Sequence, residues 1–262
     1  MSESKAMQGA QAVFRAIAIL EAFSAERPAR TLADVAEDLQ LSPPTVHRLL
    51  RALQAHDLVV YDEVSRRYSL GPGVIRLANT VLNRADLLMI AQPRLDDLRS
   101  LTGETVGLHW RVATHRVCLI ELVSVQPVRM ASGLGEPYPL VAGAAGKAIL
   151  AHLGEADFDA IVRTEREAGR RISERRLRVE LDEVRDRGFA MSCGETVPEA
   201  SAIAAPILDP SGRALAAVNI TGPQTRLTQR RMTAAVGKLL AVAGELTEQL
   251  GSKGDELPLA TS

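Results

Sequence analysis

Between Thr31 and His56 the chain reads TLADVAEDLQLSPPTVHRLLRALQAH, and the serine-proline-proline step at 42–44 fixes where a helix must begin. Ser42 is suited to capping the orphan N–H groups of a new helix, while Pro43 and Pro44 fall in a first turn that has no use for their missing donors. Val46, Leu49, Leu50 and Leu53 then form one apolar stripe at helical spacing, with Thr45, His47, Arg48 and Arg51 opposite. A second amphipathic helix precedes it, carried by Leu32, Val35, Ala36 and Leu39. Two short helices with a brief break between them fit a helix-turn-helix unit. In that unit the second helix lies in the major groove of DNA, where arginine forks reach guanine edges or phosphates. An ordinary helical hairpin with solvated charges is the other reading of this segment alone.

The flanking residues favour the first reading. Val13, Ala16, Ile17, Leu20 and Phe23 mark a helix over 12–23 that packs behind the pair, and residues 1–9 carry no periodicity and are expected to be unstructured. After the second helix, Leu58–Asp62 and Arg66–Leu70 are two β-prone runs about a polar turn, which makes a hairpin. A hairpin directly after a recognition helix is a wing, and Arg66 and Arg67 stand where it would meet phosphate or minor groove. Thr31, Ser42, Thr45, His47, Arg48, Arg51, Arg66 and Arg67 are thus the candidate DNA contacts.

Length and composition bound the rest. A chain of 262 residues with 46% hydrophobic and 24% charged residues predicts two well-cored globular domains, and 3% aromatic content makes those cores aliphatic. No apolar run approaches the roughly 18 residues of a membrane span, and the N-terminus lacks a signal-peptide core, so a cytosolic protein is expected. Cys118 and Cys193 are the only cysteines, with no metal-ligand spacing around them, so neither a disulfide framework, a structural metal nor a cofactor is expected. The net charge of −1 announces no nucleic-acid partner, so any DNA contact must come from local clustering of Arg48, Arg51, Arg66, Arg67 and Arg76, against Asp57, Asp62 and Glu63.

Gly71-Pro72-Gly73 closes the first domain, placing it at 10–71, and Val74–Met89 reads as helix within a linker over 72–90. The second domain, 91–250, opens on a helix over 87–101 with a bend near Pro93. Strands are expected over 104–111, 116–123 and 127–131, followed by a Gly/Pro-rich loop over 133–143. Helices follow over 144–153, 156–163 and 173–187. Three more strands are expected over 189–194, 201–208 and 213–221, the last two joined by the turn Asp209-Pro210-Ser211-Gly212. A terminal helix over 228–250 carries the seam Met232, Val236, Leu239, Ala243, Leu246 and Leu250, which could dimerise or pack on the domain's own sheet; residues 251–262 are expected to be a flexible tail. Strands on both sides of a helical insert predict an α+β domain whose largely antiparallel sheet is flanked by helices.

Several of these segments resemble the IclR-type transcriptional regulators, over about residues 10–250. They are Leu32–Ala36, Leu41-Ser42 with Thr45–Leu50, Tyr68–Gly71, Gly146–Ala151, Leu181–Ala190, Gly194-Glu195, Ile203–Pro206 and Thr221–Pro223. None is decisive alone; their order and spacing together are specific. The resemblance implies a dimer or tetramer whose winged helix binds operator DNA and whose C-terminal, GAF-like domain binds a small organic effector, often a carboxylic acid. Pro43-Pro44 departs from the family pattern and removes donors that could reach phosphate, shifting the burden to Thr45, His47 and Arg48.

The Gly143–Lys147 junction turns loop into helix, an arrangement that suits a carboxylate through free N–H groups. The resemblance places this junction at the effector pocket, with Ala144 and Ala145 contributing backbone. A phosphate loop is excluded because Val141 and Ala148 break its pattern. Met130, Cys193, Glu195, Ala202, Asn219 and Thr221 are the other candidate pocket residues. Asn219 must find a partner if buried, or else faces solvent or a neighbouring strand. Cys193 reads more readily as a small buried hydrophobe, and His109 as a strand-surface residue. No G-x-S-x-G, H-E-x-x-H or Cys-His pairing is present, so an enzyme is not expected. A constitutive DNA binder without effector is the alternative function, and it predicts a filled second domain where a sensor predicts a cavity beside Ala144.

Overall fold

The computed structural model describes residues 3–24, 26–82 and 86–251 and divides into two compact units, 1–83 and 84–262. In the first unit, α1 (Glu3–Glu21), α2 (Leu32–Asp38) and α3 (Pro43–Gln54) share one core of Ile19, Phe23, Val35, Val46, Leu49, Leu50, Leu53, Val59 and Tyr68. Each such large aliphatic side chain contributes roughly 1.5–3 kcal/mol by leaving water. The helix α1 begins well ahead of Ala12, inside the segment expected to be unstructured. The wing, β2 (Val59–Asp62) and β3 (Arg67–Leu70), is an antiparallel hairpin. It gains a third strand that periodicity did not reveal, β1 (Ala29–Arg30), paired to β3 through Ala29↔Ser69 and Arg30↔Tyr68. Two residues are too few to show alternation.

The Gly71-Pro72-Gly73 step does not end this unit. It docks α4 (Pro72–Leu82) onto the end of α3: the Gly71 N–H donates to the Leu58 carbonyl at 2.9 Å and the Gly73 N–H to that of Asp57 at 2.8 Å. Glycine is required at both places. A Cβ at Gly71 would sit 2.2 Å from the Asp57 carbonyl oxygen, and one at Gly73 2.7 Å from that of His56. The expected linker helix is therefore divided, since α4 stops at Leu82 and α5 (Asp86–Thr102) belongs to the second unit; the part of the expected helix at 83–85 and the tail at 252–262 lie outside the described residues.

The second unit is built on a six-stranded, wholly antiparallel sheet. It contains β4 (Thr105–Val112), β5 (His115–Leu122), β6 (Pro137–Pro139), β7 (Ala190–Cys193), β8 (Ala200–Leu208) and β9 (Ala214–Pro223), in the order β6-β5-β4-β9-β8-β7. The helices α5 and α9 (Gln229–Gly251) cover one face. Leu95, Leu98, Leu239, Val242 and Leu246 meet Val106, Leu108, Trp110, Ile203, Val218 and Ile220 there, so the α9 seam packs on its own sheet. The other face is covered by α6 (Ala144–Leu150), α7 (Glu155–Glu167) and α8 (Glu174–Arg187), against Ala190, Ala204 and Ala217. The α+β architecture is as expected.

One strand is displaced. Residues 127–131 are irregular, and the edge strand is instead β6, inside the expected loop. The 128–133 backbone is tied to side chains rather than to a ladder: Ser132 and Gly133 donate to the Glu121 carboxylate and Arg226 donates to the Val128 carbonyl. Pro137 and Pro139 fit an edge, where their missing N–H groups leave no central ladder unpaired.

Gly71→Ala is expected to destabilise the N-terminal unit by about 1–3 kcal/mol, because backbone rather than a movable side chain blocks the new methyl group. Gly244→Ala, on an open stretch of α9, is the control and should be neutral or stabilising. Urea unfolding followed by circular dichroism separates the two, and equal stability of the pair refutes the docking role.

Candidate functional site

In the first unit the outward face of α3 carries His47, Arg48 and Arg51, all exposed, with Thr45 half-buried beside them. The helix starts as the proline pair predicts, but Ser42 does not cap it with its side chain. Proline at the first two positions removes the donors a cap would receive, and the Thr45 N–H is already taken by the Ser42 carbonyl at 2.9 Å. The freed Ser42 hydroxyl bonds the Thr45 hydroxyl at 2.8 Å, which holds both at the leading end of α3.

The wing loop 63–66 is closed by the Asp62 carboxylate, which accepts the N–H groups of Val64 and Ser65 at 2.8 and 3.1 Å. Those bonds, that of Ser65 foremost, hold the Asp62 carboxyl below its ordinary value. Arg66 adopts the left-handed conformation at φ 56° and ends the turn.

The arginines of this unit fall into two groups. Arg30, 5% exposed, donates to the Ala22 and Asp34 carbonyls and pairs with Asp38 at 2.5 Å. Arg67 donates to the Ala29 carbonyl at 3.0 Å, tying wing to β1, and Arg76 meets Asp57. These are fastenings. Arg48, Arg51 and Arg66, by contrast, make no hydrogen bond or ion pair with any described residue. Thr31 is a fastening too, since it caps α2: its hydroxyl accepts from the Asp34 N–H while Asp34 accepts from the Thr31 N–H at 2.9 Å. Of the candidate contacts, Ser42, Thr45, His47, Arg48, Arg51 and Arg66 thus make no bond outside their own group, while Thr31 and Arg67 are committed at their polar ends.

In the second unit a cavity of about 60 Å³ lies between β5, β8, β9 and the start of α6. Met130, Ala144, Ala145, Ala202, Asn219 and Thr221 line it as expected; Cys193 and Glu195 do not. Cys193 is exposed at the end of β7, not buried. Glu195 instead braces the junction: its Oε2 accepts the Gly143 N–H at 2.9 Å and its Oε1 meets the buried Lys147 Nζ at 2.5 Å. Lys147 also pairs with Glu180 at 3.2 Å, and the Ala144 N–H donates to Ser192 Oγ at 3.0 Å. Of the junction expected to offer the backbone of Ala144 and Ala145 to a carboxylate, the Gly143 and Ala144 N–H groups are taken by Glu195 and Ser192.

Glycine spacing at this junction has steric causes. Gly143 has φ 75°, and a Cβ on it would lie 3.2 Å from Thr196 and 3.3 Å from an Arg116 guanidinium nitrogen. On Gly146 it would lie 2.7 Å from the Pro139 carbonyl oxygen.

The wall that sequence reasoning missed is polar. Arg116, 5% exposed, donates from its Nη1 to His109 Nδ1 at 2.8 Å, and its guanidinium carbon lies 4.9 Å over the Tyr138 ring. Burial draws its pKa down to about 10. His109, expected on the strand surface, is 1% exposed. Because a guanidinium only donates, Nδ1 must accept, and the proton of the neutral ring sits on Nε2. Burial, then the Arg116 charge, holds this imidazole well below its ordinary value. Asn219 is buried, so the solvent-facing alternative fails, and its Oδ1 lacks a partner among the described residues. Only glycine fits beside it at 107, where a Cβ would be 2.7 Å from Asn219 Oδ1 and 3.3 Å from His109 Nε2. Ser132, Ser192 and Thr196 complete the polar lining.

A profile described as "Bacterial transcriptional regulator IclR C-terminal" matches residues 79–248, and one described as "IclR helix-turn-helix domain" matches 12–63. The HTH-type transcriptional repressor AllR of Escherichia coli K12 is 31% identical over 259 residues, covering 96% of this chain and 94% of its own length. Among solved structures, the Thermotoga maritima IclR is similar at a TM-score of 0.75 and 25% identity, covering 91% of this chain and 98% of that one. A transcriptional regulator from Rhodococcus sp. RHA1 is similar at a TM-score of 0.76 and 25% identity, covering 92% and 98%.

The neutral His109 fixes a pH dependence. Above the ordinary imidazole value of 6.5 both folded and unfolded chains leave the ring neutral; below it the unfolded chain takes up a proton that folded His109 refuses, so stability falls as pH drops. His109→Asn removes that proton. Between pH 6 and 5 its stability should fall less steeply than the wild type's, by up to about one proton or roughly 1.4 kcal/mol per pH unit. Urea unfolding at pH 7, 6 and 5 measures the slopes, and parallel slopes contradict the assignment.

Proposed function

The chain belongs to the IclR family of DNA-binding transcriptional regulators, and we propose that its hold on operator DNA is set by a small organic acid bound in the C-terminal unit. The observation that carries this reading is the polar cavity beside Ala144, walled by buried groups with unfilled hydrogen-bonding capacity. A constitutive binder has no use for such a space, and a packed interior would have been the more stable solution. The relatives of this chain are named as regulators rather than enzymes.

On the DNA side, α3 enters the major groove with Thr45, His47 and Arg48 toward base edges, while Ser42, Arg51 and Arg66 meet phosphates. Arg48, Arg51 and Arg66, none of which has a partner among the described residues, supply the local positive charge that a chain of net charge −1 otherwise lacks. Pairing of two copies is supported by apolar groups left in water on α1, where Val13, Phe14 and Ile17 are 59%, 73% and 47% exposed. Ile75 and Leu77 on α4 are exposed as well. A homodimer, or a tetramer of two such pairs, would cover them and place two recognition helices on one operator. The AllR relatives are named repressors, and on that likeness we take repression as the output. No described helix is long and apolar enough to cross a membrane, which fits a cytoplasmic site of action.

Gel shifts on DNA upstream of the gene test the DNA half. Arg48→Ala should weaken specific binding by roughly 1–3 kcal/mol and relax preference at one base position. Arg66→Ala should weaken all sequences alike and reduce the salt dependence by about one counterion. If neither variant differs from wild type, α3 and the wing are not the reading surface. For the effector half, an acid that raises the melting temperature of the protein should change operator affinity in the same shift assay; stabilisation without any change in DNA binding sinks the coupling.

A further inference from the structure

The corner where α7 turns into α8 gathers positive charge away from both sites described above. Residues 163–178 hold seven arginines and three glutamates, a net charge of +4 in a chain whose total is −1. Four of the arginines are engaged: Arg166 with Glu174 at 2.7 Å, Arg170 with Glu165 at 2.6 Å, Arg176 with Glu180 at 2.9 Å and Arg178 with Glu155 at 2.8 Å. Arg163, Arg171 and Arg175 are exposed and make no hydrogen bond or ion pair with any described residue; Glu167 is the one acid of this stretch left equally free. The corner is firmly built. Gly169, at φ 85°, closes α7 with a Schellman turn, its N–H donating to the Arg166 carbonyl at 2.9 Å and the Arg170 N–H to that of Glu165 at 3.0 Å. Arg166 then spans the loop to the Ile172 carbonyl and to Glu174, clasping the end of α7 to the start of α8. Arg163 stands one turn before this clasp, and Arg171 and Arg175 bracket its far side in sequence.

Resting on the DNA-binding reading above, we propose that the α7–α8 corner is a second DNA contact, independent of sequence, in which Arg163, Arg171 and Arg175 meet backbone phosphates. The kind of partner follows from what surrounds the charge. Among residues 163–178 no large apolar side chain is exposed, and Ile172 is half-buried. A helix that lies on a membrane needs an apolar face, and a protein interface needs an apolar centre. A DNA backbone needs neither, only cations spaced along a surface and forked donors that match phosphate oxygens. The corner offers as many unpaired arginines as α3 and the wing together, in a chain whose overall charge gives no attraction to DNA. It would raise affinity for any DNA sequence and leave the choice among sequences to α3.

The test titrates the full chain, over a series of salt concentrations, onto a long operator-bearing fragment and onto one of equal length without the operator. Arg163→Gln, Arg171→Gln and Arg175→Gln combined should weaken binding to both fragments by the same factor, roughly tenfold or more at low salt, and lower the slope of log affinity against log salt by about two to three. The three changes to lysine, which keep the charge, should restore most of that slope, and both variants should melt within a few degrees of wild type, since the side chains are exposed. A glutamine variant with the wild-type slope overturns the contact, as does a loss confined to the operator fragment. A large drop in melting temperature, or a lysine variant as weak as the glutamine one, makes these arginines structural and overturns it too. Phosphatidylglycerol vesicles that bind wild type but not the glutamine variant, with DNA slopes unchanged, would assign the corner to a membrane instead. Arg48→Ala, run in parallel, separates the two readings: if it alone has no effect on operator preference, the reading role of α3 falls and the corner stands.

Discussion

Strand β9 is buried along its whole length, from Ala214 to Pro223, because helices cover the sheet on both faces. Residues alternate across a strand, so this one segment must serve two environments at once. Ala216, Val218 and Ile220 point to α5 and α9 and make an aliphatic core. Ala217, Asn219 and Thr221 share the opposite parity, toward α6, and there the outer end of the strand turns polar. The small side chain at 217 lets α6 pack closely, whereas the polar pair at 219 and 221 leaves space. A cavity results where packing gives way to hydrogen bonding on one face of a single strand. Gly107, opposite Asn219 on β4, leaves room for the Asn219 amide and the His109 ring beside it.

The repeating parts of the fold were legible in the sequence because they rest on periodicity. The stripe on α3, the α9 seam and the apolar runs of β8 and β9 about their Asp-Pro-Ser-Gly turn each extend over enough residues for burial to imprint a pattern. What escaped is short or non-local. Two residues of β1 show no alternation, and Pro137–Pro139 reads as a loop because its prolines mask an edge strand. The pocket divides in the same way. Asn219 is conspicuous as an amide in an apolar strand, while Arg116 reads as an ordinary strand charge, since its burial depends on Tyr138, Gly143 and His109 from distant positions. The one local signal is the run His115-Arg116-Val117-Cys118, whose alternation places Arg116 on the same side as Cys118, a thiol whose pKa burial pushes up to about 12. Cys193 and Glu195 mislead for the converse reason. They stand next to the lining residues Ser192 and Thr196 in sequence, and the strand end at Cys193 turns them away.

The N-terminal unit shows why a count of arginines misleads. Arg30, Arg67 and Arg76 fasten β1, the wing and α4 to the helical core, and a buried guanidinium such as Arg30, with carbonyl and carboxylate partners, has no capacity left for phosphate. Of the arginines that remain, three lie on the outer side of α3 and at the wing's turn. In a chain with 31 basic and 32 acidic residues, attraction to DNA cannot come from a global field and must be carried by the few cations the fold leaves unpaired.

An unpaired cation has a different meaning in the second unit. Protein interiors pair their charges because an unpaired one costs several kcal/mol, so a fold that pairs Lys147 twice and Arg116 not at all departs from its own practice at one place. Surface arginines can lack partners at little cost, since water solvates them; a buried one cannot. Among the described residues the groups placed against it are a neutral imidazole and a tyrosine ring. Glycine at 143 keeps the space open, and Tyr138 and His109 hold the guanidinium without neutralising it. A charge held between such low-dielectric walls interacts more strongly with any group beside it than it would in water.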